Sequence, residues 1–211
     1  MKLKKYLLIF IFFIFFQLYY NKQIIYYILN NKKCIPTPTY IINIIKKTII
    51  NDLKINRLIL ANNFIFYDIG SGDGNTINNI FEPNMFKKYI GIEYDSKTHL
   101  DSNPISNQIN LILDNALTYN YINKPSVIYL YEPFYSFNYN TAKNMYYKLF
   151  KQITNKCKKP IYLIYLTGDI YLGNPHLYKS NLLNKYKLIS KKNIYRPLLF
   201  KSNILLVYKI N

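Results

Sequence analysis

The chain has 211 residues, half of them hydrophobic, which is enough for one domain with its own core and too few for two ordinary ones. Lys and Arg number 28 against 10 Asp and Glu, a formal net charge of +18, yet only Arg57 and Arg196 are arginines and Trp is absent. That lysine excess accompanies an excess of Asn, Ile and Tyr, the profile of AT-rich coding, and by itself specifies no anionic partner. The cysteines Cys34 and Cys157 and the histidines His99 and His176 form neither a disulfide framework nor a metal-ligand spacing, so no metal is expected.

In chain order, Lys2, Lys4 and Lys5 precede YLLIFIFFIFFQLYY at 6–20, apolar but for Gln17. As a helix this run is roughly 22 Å long, against about 30 Å of bilayer hydrocarbon. Tyr19 and Tyr20 at the interface and snorkelling lysines make a short span feasible. A cleaved signal peptide shares the charged start and apolar middle but requires small residues at its cleavage site. No Ala, Gly or Ser occurs before Ala61, so a retained N-terminal hydrophobic helix is expected, with residues 1–33 as anchor and juxtamembrane stretch. Lysines flank both sides of it, which leaves its orientation open.

The remaining residues, 34–211, read as one domain. Pro36 and Pro38 hold CIPTPT extended. Thr39 is placed to cap a helix whose Ile41, Ile45, Ile49 and Leu53 share a face. Five apolar runs follow: FIFYDI (64–69), YIGIEY (89–94), INLIL (109–113), SVIYLY (126–131) and IYLIYL (161–166). Their continuous apolarity predicts parallel strands covered on both faces. Helix-compatible segments lie between them, the clearest being TAKNMYYKLFKQI at 141–153. YKLIS and NILLVYKI close the chain as an antiparallel pair. The expected fold is therefore α/β and doubly wound, a mostly parallel seven-stranded sheet with a C-terminal antiparallel hairpin. Ligands of such sheets bind beyond the carboxyl ends of the strands.

At the end of the first run stands DIGSGDG, which holds three of the chain's six glycines. Glycine permits positive φ and leaves no Cβ between backbone and ligand. One glycine suffices for a tight strand-to-helix turn, so three at alternate positions point to a bound cofactor. The spacing is not the dinucleotide fingerprint, because the third position of G-x-G-x-x-G falls on Asn75 and Asp73 would repel a pyrophosphate. A P-loop lysine is also missing. A cofactor with a cationic centre and no phosphate fits better.

DIGSGDG resembles the first motif of the class I S-adenosylmethionine-dependent methyltransferases, and the likeness runs from about Tyr40 to the C-terminus. It implies S-adenosylmethionine as cofactor, held by Asp68, Gly70, Ser71, Gly72, Asp73 and Gly74. In YIGIEYD, Glu93 falls where the family places an acid whose two oxygens accept the ribose hydroxyls. In LILDNA, Asp114 stands for the adenine amino group, and the Asn115 and Ala116 backbone for the ring edge. Amino-methylating members carry Asn or Asp, proline and an aromatic residue after the fourth strand. This chain has Glu132, Pro133 and Phe134, the implied catalytic residues, and the Glu is a departure. A carboxylate suits a lysine ammonium through a charge-assisted bond, with cation–π attraction from Phe134 and Tyr135.

The hydrophobic start, the Pro-Thr-Pro segment and the glycine motif are together similar to membrane-anchored protein-lysine methyltransferases. That likeness implies a protein lysine as substrate, a membrane contact through the N-terminal helix, and a domain facing cytosol or mitochondrial matrix, where the cofactor is present. The alternatives are an RNA methyltransferase, which the positive charge favours, and an inactive membrane-tethered cofactor-binding protein.

Overall fold

A computed structural model of the chain describes residues 37–134, 136–167, 176–196 and 201–210, together with Tyr6 and Ile11. The expected anchor at 1–33 lies outside these residues but for those two positions, both exposed. No helix among the described residues is long and apolar enough to cross a membrane.

The chain opens with two helices, α1 (Thr39–Asn51) and α2 (Arg57–Asn63). Then β1 (Ile65–Ile69), α3 (Asn75–Ile80), β2 (Lys88–Glu93), a single turn α4 (Ser96–His99) and β3 (Ile109–Leu113) follow. The second half runs β4 (Ser126–Tyr131), α5 (Tyr139–Lys156), β5 (Ile161–Leu166), α6 (His176–Lys179), β6 (Lys187–Arg196) and β7 (Lys201–Ile210). The seven strands form one sheet in the order β3-β2-β1-β4-β5-β7-β6. The first five are parallel, and β7 runs antiparallel to both β5 and β6.

Each face of the sheet has its own core. Ile41, Ile45, Ile49, Leu60 and Ile77 of α1 to α3 pack on Phe66, Tyr89, Tyr129 and Ile164. On the other face, Ala142, Tyr146, Leu149 and Ile153 of α5 pack on Tyr67, Ile69, Leu130 and Tyr165. Every residue of β1 and of β5 is buried, which is why those strands read as apolar runs, broken only by Asp68 in β1. Strand order reverses direction at β1, with β2 and β3 to one side and β4 and β5 to the other. The crevice of a doubly wound sheet opens at that reversal, beyond the carboxyl ends of β1 and β4.

Two local expectations are corrected. The N-cap of α1 is Pro38, without a side-chain cap bond, and Thr39 is the first helical residue. The Pro38 carbonyl accepts from the Ile41 and Ile42 amides, a start that a proline's fixed φ permits. Leu53 lies beyond the end of the helix and is nonetheless buried. The closing hairpin is also longer than the apolar residues alone indicate, since β6 extends through the polar KKNIYR. That strand is the sheet edge with one paired neighbour, where polar residues are well tolerated.

Candidate active site

From β1 the chain turns through Gly70–Gly74 into α3, with φ of +75°, +60° and +80° at Gly70, Gly72 and Gly74. At Gly74, the N-cap of α3, a Cβ would lie 2.5 Å from Leu111 Cδ1, so both dihedral and space call for glycine. A Cβ at Gly70 would stand 3.0 Å from Pro133 Cβ. The glycine turn and the segment after β4 therefore abut. Gly70 N and Ser71 N both donate to Ile92 O, at 2.9 and 3.2 Å, which ties the turn to β2. Asp73 accepts the Asn75 amide at 3.1 Å and its side-chain nitrogen at 2.7 Å, closing the start of α3.

Below the turn, Asp68 is 3 % exposed, and its Oδ2 has no hydrogen-bond partner among the described residues. Ser71 Oγ is likewise buried and unpartnered. Burial first, then the charge of Glu93, push the Asp68 carboxyl up from 3.8 to about 8. Unsatisfied buried polar atoms are rare in folded proteins. A buried carboxyl with one oxygen lacking a donor, under a turn that has no Cβ at three of its five positions, fits a ligand that carries a cationic amine.

Glu93 ends β2, buried, and its carboxylate gathers three backbone amides. Oε2 accepts from Gly72 N at 2.9 Å, and Oε1 from Tyr94 N and Asp95 N at 2.8 Å each. A carboxylate offers about four acceptor positions, so roughly one remains for a ribose hydroxyl. The resemblance implies two accepted hydroxyls. The second requires one backbone bond to give way. Glu93→Gln should therefore act twice, weakening the turn and the ribose bond together. Calorimetry is expected to show a loss of cofactor affinity of about 10- to 100-fold with the fold retained, at roughly 1.5–3 kcal/mol per hydrogen bond to a charged acceptor.

Asp114 follows β3 and is exposed; its backbone amide donates to Glu93 O at 2.9 Å, so the two strand ends stay together. Its Oδ1 accepts from Asn115 N at 2.6 Å, and Asn115 Oδ1 from Leu117 N at 2.9 Å. The Asn115 amide is thus engaged locally and must reorient to reach a base. The Ala116 carbonyl accepts from Tyr121 OH at 3.0 Å.

Glu132 is 5 % exposed, which rules out a merely solvated strand-end carboxylate. Its φ is +44°, a left-handed conformation uncommon for a non-glycine residue. The turned backbone sets the side chain against Tyr146 of α5, whose hydroxyl is 3.1 Å from Oε2, and Tyr165 of β5, whose hydroxyl donates to Oε1. Burial, then the charge of Glu132, hold both phenols well above their ordinary value, so they remain protonated donors. Phe134 meets Tyr146 edge-on, ring centres 4.9 Å apart. Tyr135 lies outside the described residues.

Thus the sheet gathers Asp68, the glycine turn, Glu93 and Glu132-Pro133-Phe134 at one end, with Asp114 to Ala116 beyond Glu93. The sequence reading missed Tyr146, Tyr165, Leu111 over Gly74, and Thr37, whose amide donates to Thr76 Oγ1 at 3.1 Å beside the turn. A tyrosine on a buried face needs a partner for its hydroxyl, and that was the available signal for the first two. Two open grooves meeting at Tyr162 lie at the opposite, amino end of the strands and contain none of these residues. Among the described residues, no three His, Cys, Asp or Glu are grouped to hold a metal.

No protein-family model and no curated protein matches the sequence. Solved structures do resemble it. The N-methyltransferase NodS from Bradyrhizobium japonicum superposes with a TM-score of 0.58 at 9% identity, covering 79% of this chain and 94% of that one. A SAM-dependent methyltransferase from Anabaena variabilis gives 0.53 at 12% identity, with 80% and 84% covered. M. capricolum TrmK in complex with S-adenosyl-homocysteine gives 0.51 at 15% identity, with 82% and 68% covered. The fold is that of the class I S-adenosylmethionine-dependent methyltransferases.

Proposed function

We propose that the chain is an S-adenosylmethionine-dependent N-methyltransferase that acts on a lysine of a protein. In this reading residues 1–33 anchor it to a membrane and residues 34–211 form the catalytic domain, on a side where the cofactor is present. The carrying observation is the buried Glu132 carboxylate, presented at the end of β4, where the following Pro133 lies against Gly70 of the glycine turn.

When bound, the cofactor supplies a methyl group on a sulfonium for in-line transfer to a nucleophilic nitrogen. Gly70, Ser71, Gly72, Asp73 and Gly74 wrap it, with no side chain at the three glycines, and Asp68 answers its amine. Glu93, Asp114, Asn115 and Ala116 receive the nucleoside. A lysine arrives as an ammonium, which has no lone pair, and its proton passes to water. Glu132 attracts the cation and orients the amine, while Pro133 and Phe134 shape its approach. Proximity and exclusion of water contribute the rest.

Asp68 gives this reading a pH signature. Its folded value of about 8 exceeds the 3.8 of the free group, so the folded protein without cofactor holds the proton more tightly than the unfolded chain. Its contribution to stability is complete below pH 4 and is lost as pH rises toward 8. A cationic ligand favours the carboxylate, so binding releases a proton at neutral pH and tightens as pH rises toward 8. Calorimetry in buffers of different ionisation enthalpy measures that release. No release at pH 7 would place the cofactor amine elsewhere.

The activity test incubates the full chain with radiolabelled S-adenosylmethionine and membrane-protein, soluble-protein and RNA fractions. Label in lysine of the membrane proteins is expected. Label confined to RNA would overturn the lysine assignment, and cofactor binding without any transfer would leave an inactive binding protein.

A further inference from the structure

Tyr146 and Tyr165 come from separate elements, α5 and β5, and converge on one carboxylate. Both belong to the core on the α5 face of the sheet, with Ala142, Leu149 and Phe150 of the helix and Leu163 of the strand. The proton of each phenol is directed. The Tyr146 hydroxyl lies beside the Phe134 backbone and that of Tyr165 beside the Tyr178 backbone, and each donates to Glu132. The phenols take one oxygen each. With the backbone of Glu132 already in the left-handed region, the carboxylate is fixed at both ends.

We infer that Tyr146 and Tyr165 are positioning residues of the transfer site, holding the two oxygens of Glu132 so that it meets a cationic nitrogen acceptor in one orientation. The inference rests on the reading of Glu132 as the acceptor-binding residue. Hydrogen bonds to a carboxylate favour its charged form, and two neutral donors do so without adding a positive charge that would repel an ammonium. Among the described residues, the titratable groups bonded to the carboxylate are Tyr146 of α5 and Tyr165 of β5, and the Tyr178 backbone of α6 lies beside the Tyr165 hydroxyl.

The chain has three glutamates, Glu82, Glu93 and Glu132, so carboxyl-13C-glutamate labelling of the full chain in detergent gives three carboxyl signals to follow with pH. Glu132 is identified as the signal missing from Glu132→Gln. Tyr146→Phe and Tyr165→Phe are each expected to raise its midpoint by about one pH unit. The acid limb of the pH profile for label transfer into membrane proteins should move with it, with cofactor affinity unchanged. Site-specific 3-fluorotyrosine at position 146 or 165 keeps the shape and strengthens the donor, so it should lower the midpoint even if a Phe variant fails to fold. An unmoved midpoint in the folded variants overturns the positioning role. If Glu132→Gln is slow while the tyrosine variants leave both midpoint and acid limb in place, the positioning role alone fails. Parental transfer by Glu132→Gln overturns the acceptor reading beneath it.

Discussion

Gly72→Val is expected to abolish detectable S-adenosylmethionine binding, a loss of more than about 100-fold, while the domain remains folded. Residue 72 has φ +60°, a region β-branched side chains rarely enter, and such strain amounts to roughly 1–3 kcal/mol. Strain is the smaller part of the effect. The Gly72 amide is the donor to Glu93 Oε2, so a displaced turn also loosens the carboxylate assigned to the ribose. The new side chain, moreover, stands on the turn that must approach the cofactor closely. Asp68→Ala should likewise abolish binding, by removing the buried carboxyl assigned to the amine. Asp68→Asn sharpens the test, since it removes the group whose folded pKa is raised to about 8. That variant should unfold at a higher temperature than the parent at pH 8 without ligand, and still bind poorly. Calorimetry and thermal unfolding, with circular dichroism to verify the fold, measure all three. Undiminished binding in both Gly72→Val and Asp68→Ala would end the methyltransferase reading.

The sheet was legible because parallel strands covered on both faces leave no polar alternation to interrupt them. IYLIYL at 161–166 coincides with β5, SVIYLY with β4 and INLIL with β3. The glycine turn was legible because its three φ values demand the residue that the sequence supplies. Once strand ends are known, acids placed beyond them can be counted, as with Asp68, Glu93 and Asp114. What stayed hidden depends on direction. A left-handed backbone at Glu132 sends its carboxylate into the α5 face of the sheet, and nothing in Tyr-Glu-Pro-Phe declares a positive φ at a non-glycine residue. The amides that Glu93 collects come from its own next two residues and from a turn 21 positions earlier, a convergence that only the folded sheet creates. The edge strand β6 was cut short for the opposite reason, since its polar half is carried by backbone pairing, by the apolar anchor Ile194 and by Lys192 paired with Asp52.

At Glu132, charge and structure can be separated by two substitutions. Glu132→Gln preserves shape and hydrogen bonding. Its amide oxygen accepts from one tyrosine, and its nitrogen donates to the other hydroxyl, which has acceptor capacity. Thermal stability should change little, and cofactor affinity should stay within about twofold because the first contacts belong to Asp68, the glycine turn and Glu93. Turnover on a lysine substrate should fall at least about tenfold, the equivalent of 1.4 kcal/mol of transition-state stabilisation. Glu132→Ala removes the acceptor of the Tyr146 and Tyr165 hydroxyls, at roughly 1–3 kcal/mol for each buried donor left unsatisfied, so it should lower the unfolding temperature as well. Phe134→Ala opens a cavity beside Tyr146 and is expected to lose turnover and stability together. A nucleic-acid acceptor predicts a different pattern. Removing a negative charge near phosphates would hold or raise turnover in Glu132→Gln, with a steep dependence on salt. The rate of Glu132→Gln on lysine and RNA substrates at two salt concentrations therefore distinguishes the two. A parental rate on the lysine substrate would remove Glu132 from acceptor recognition and leave its carboxylate as a buried tie between α5 and β5.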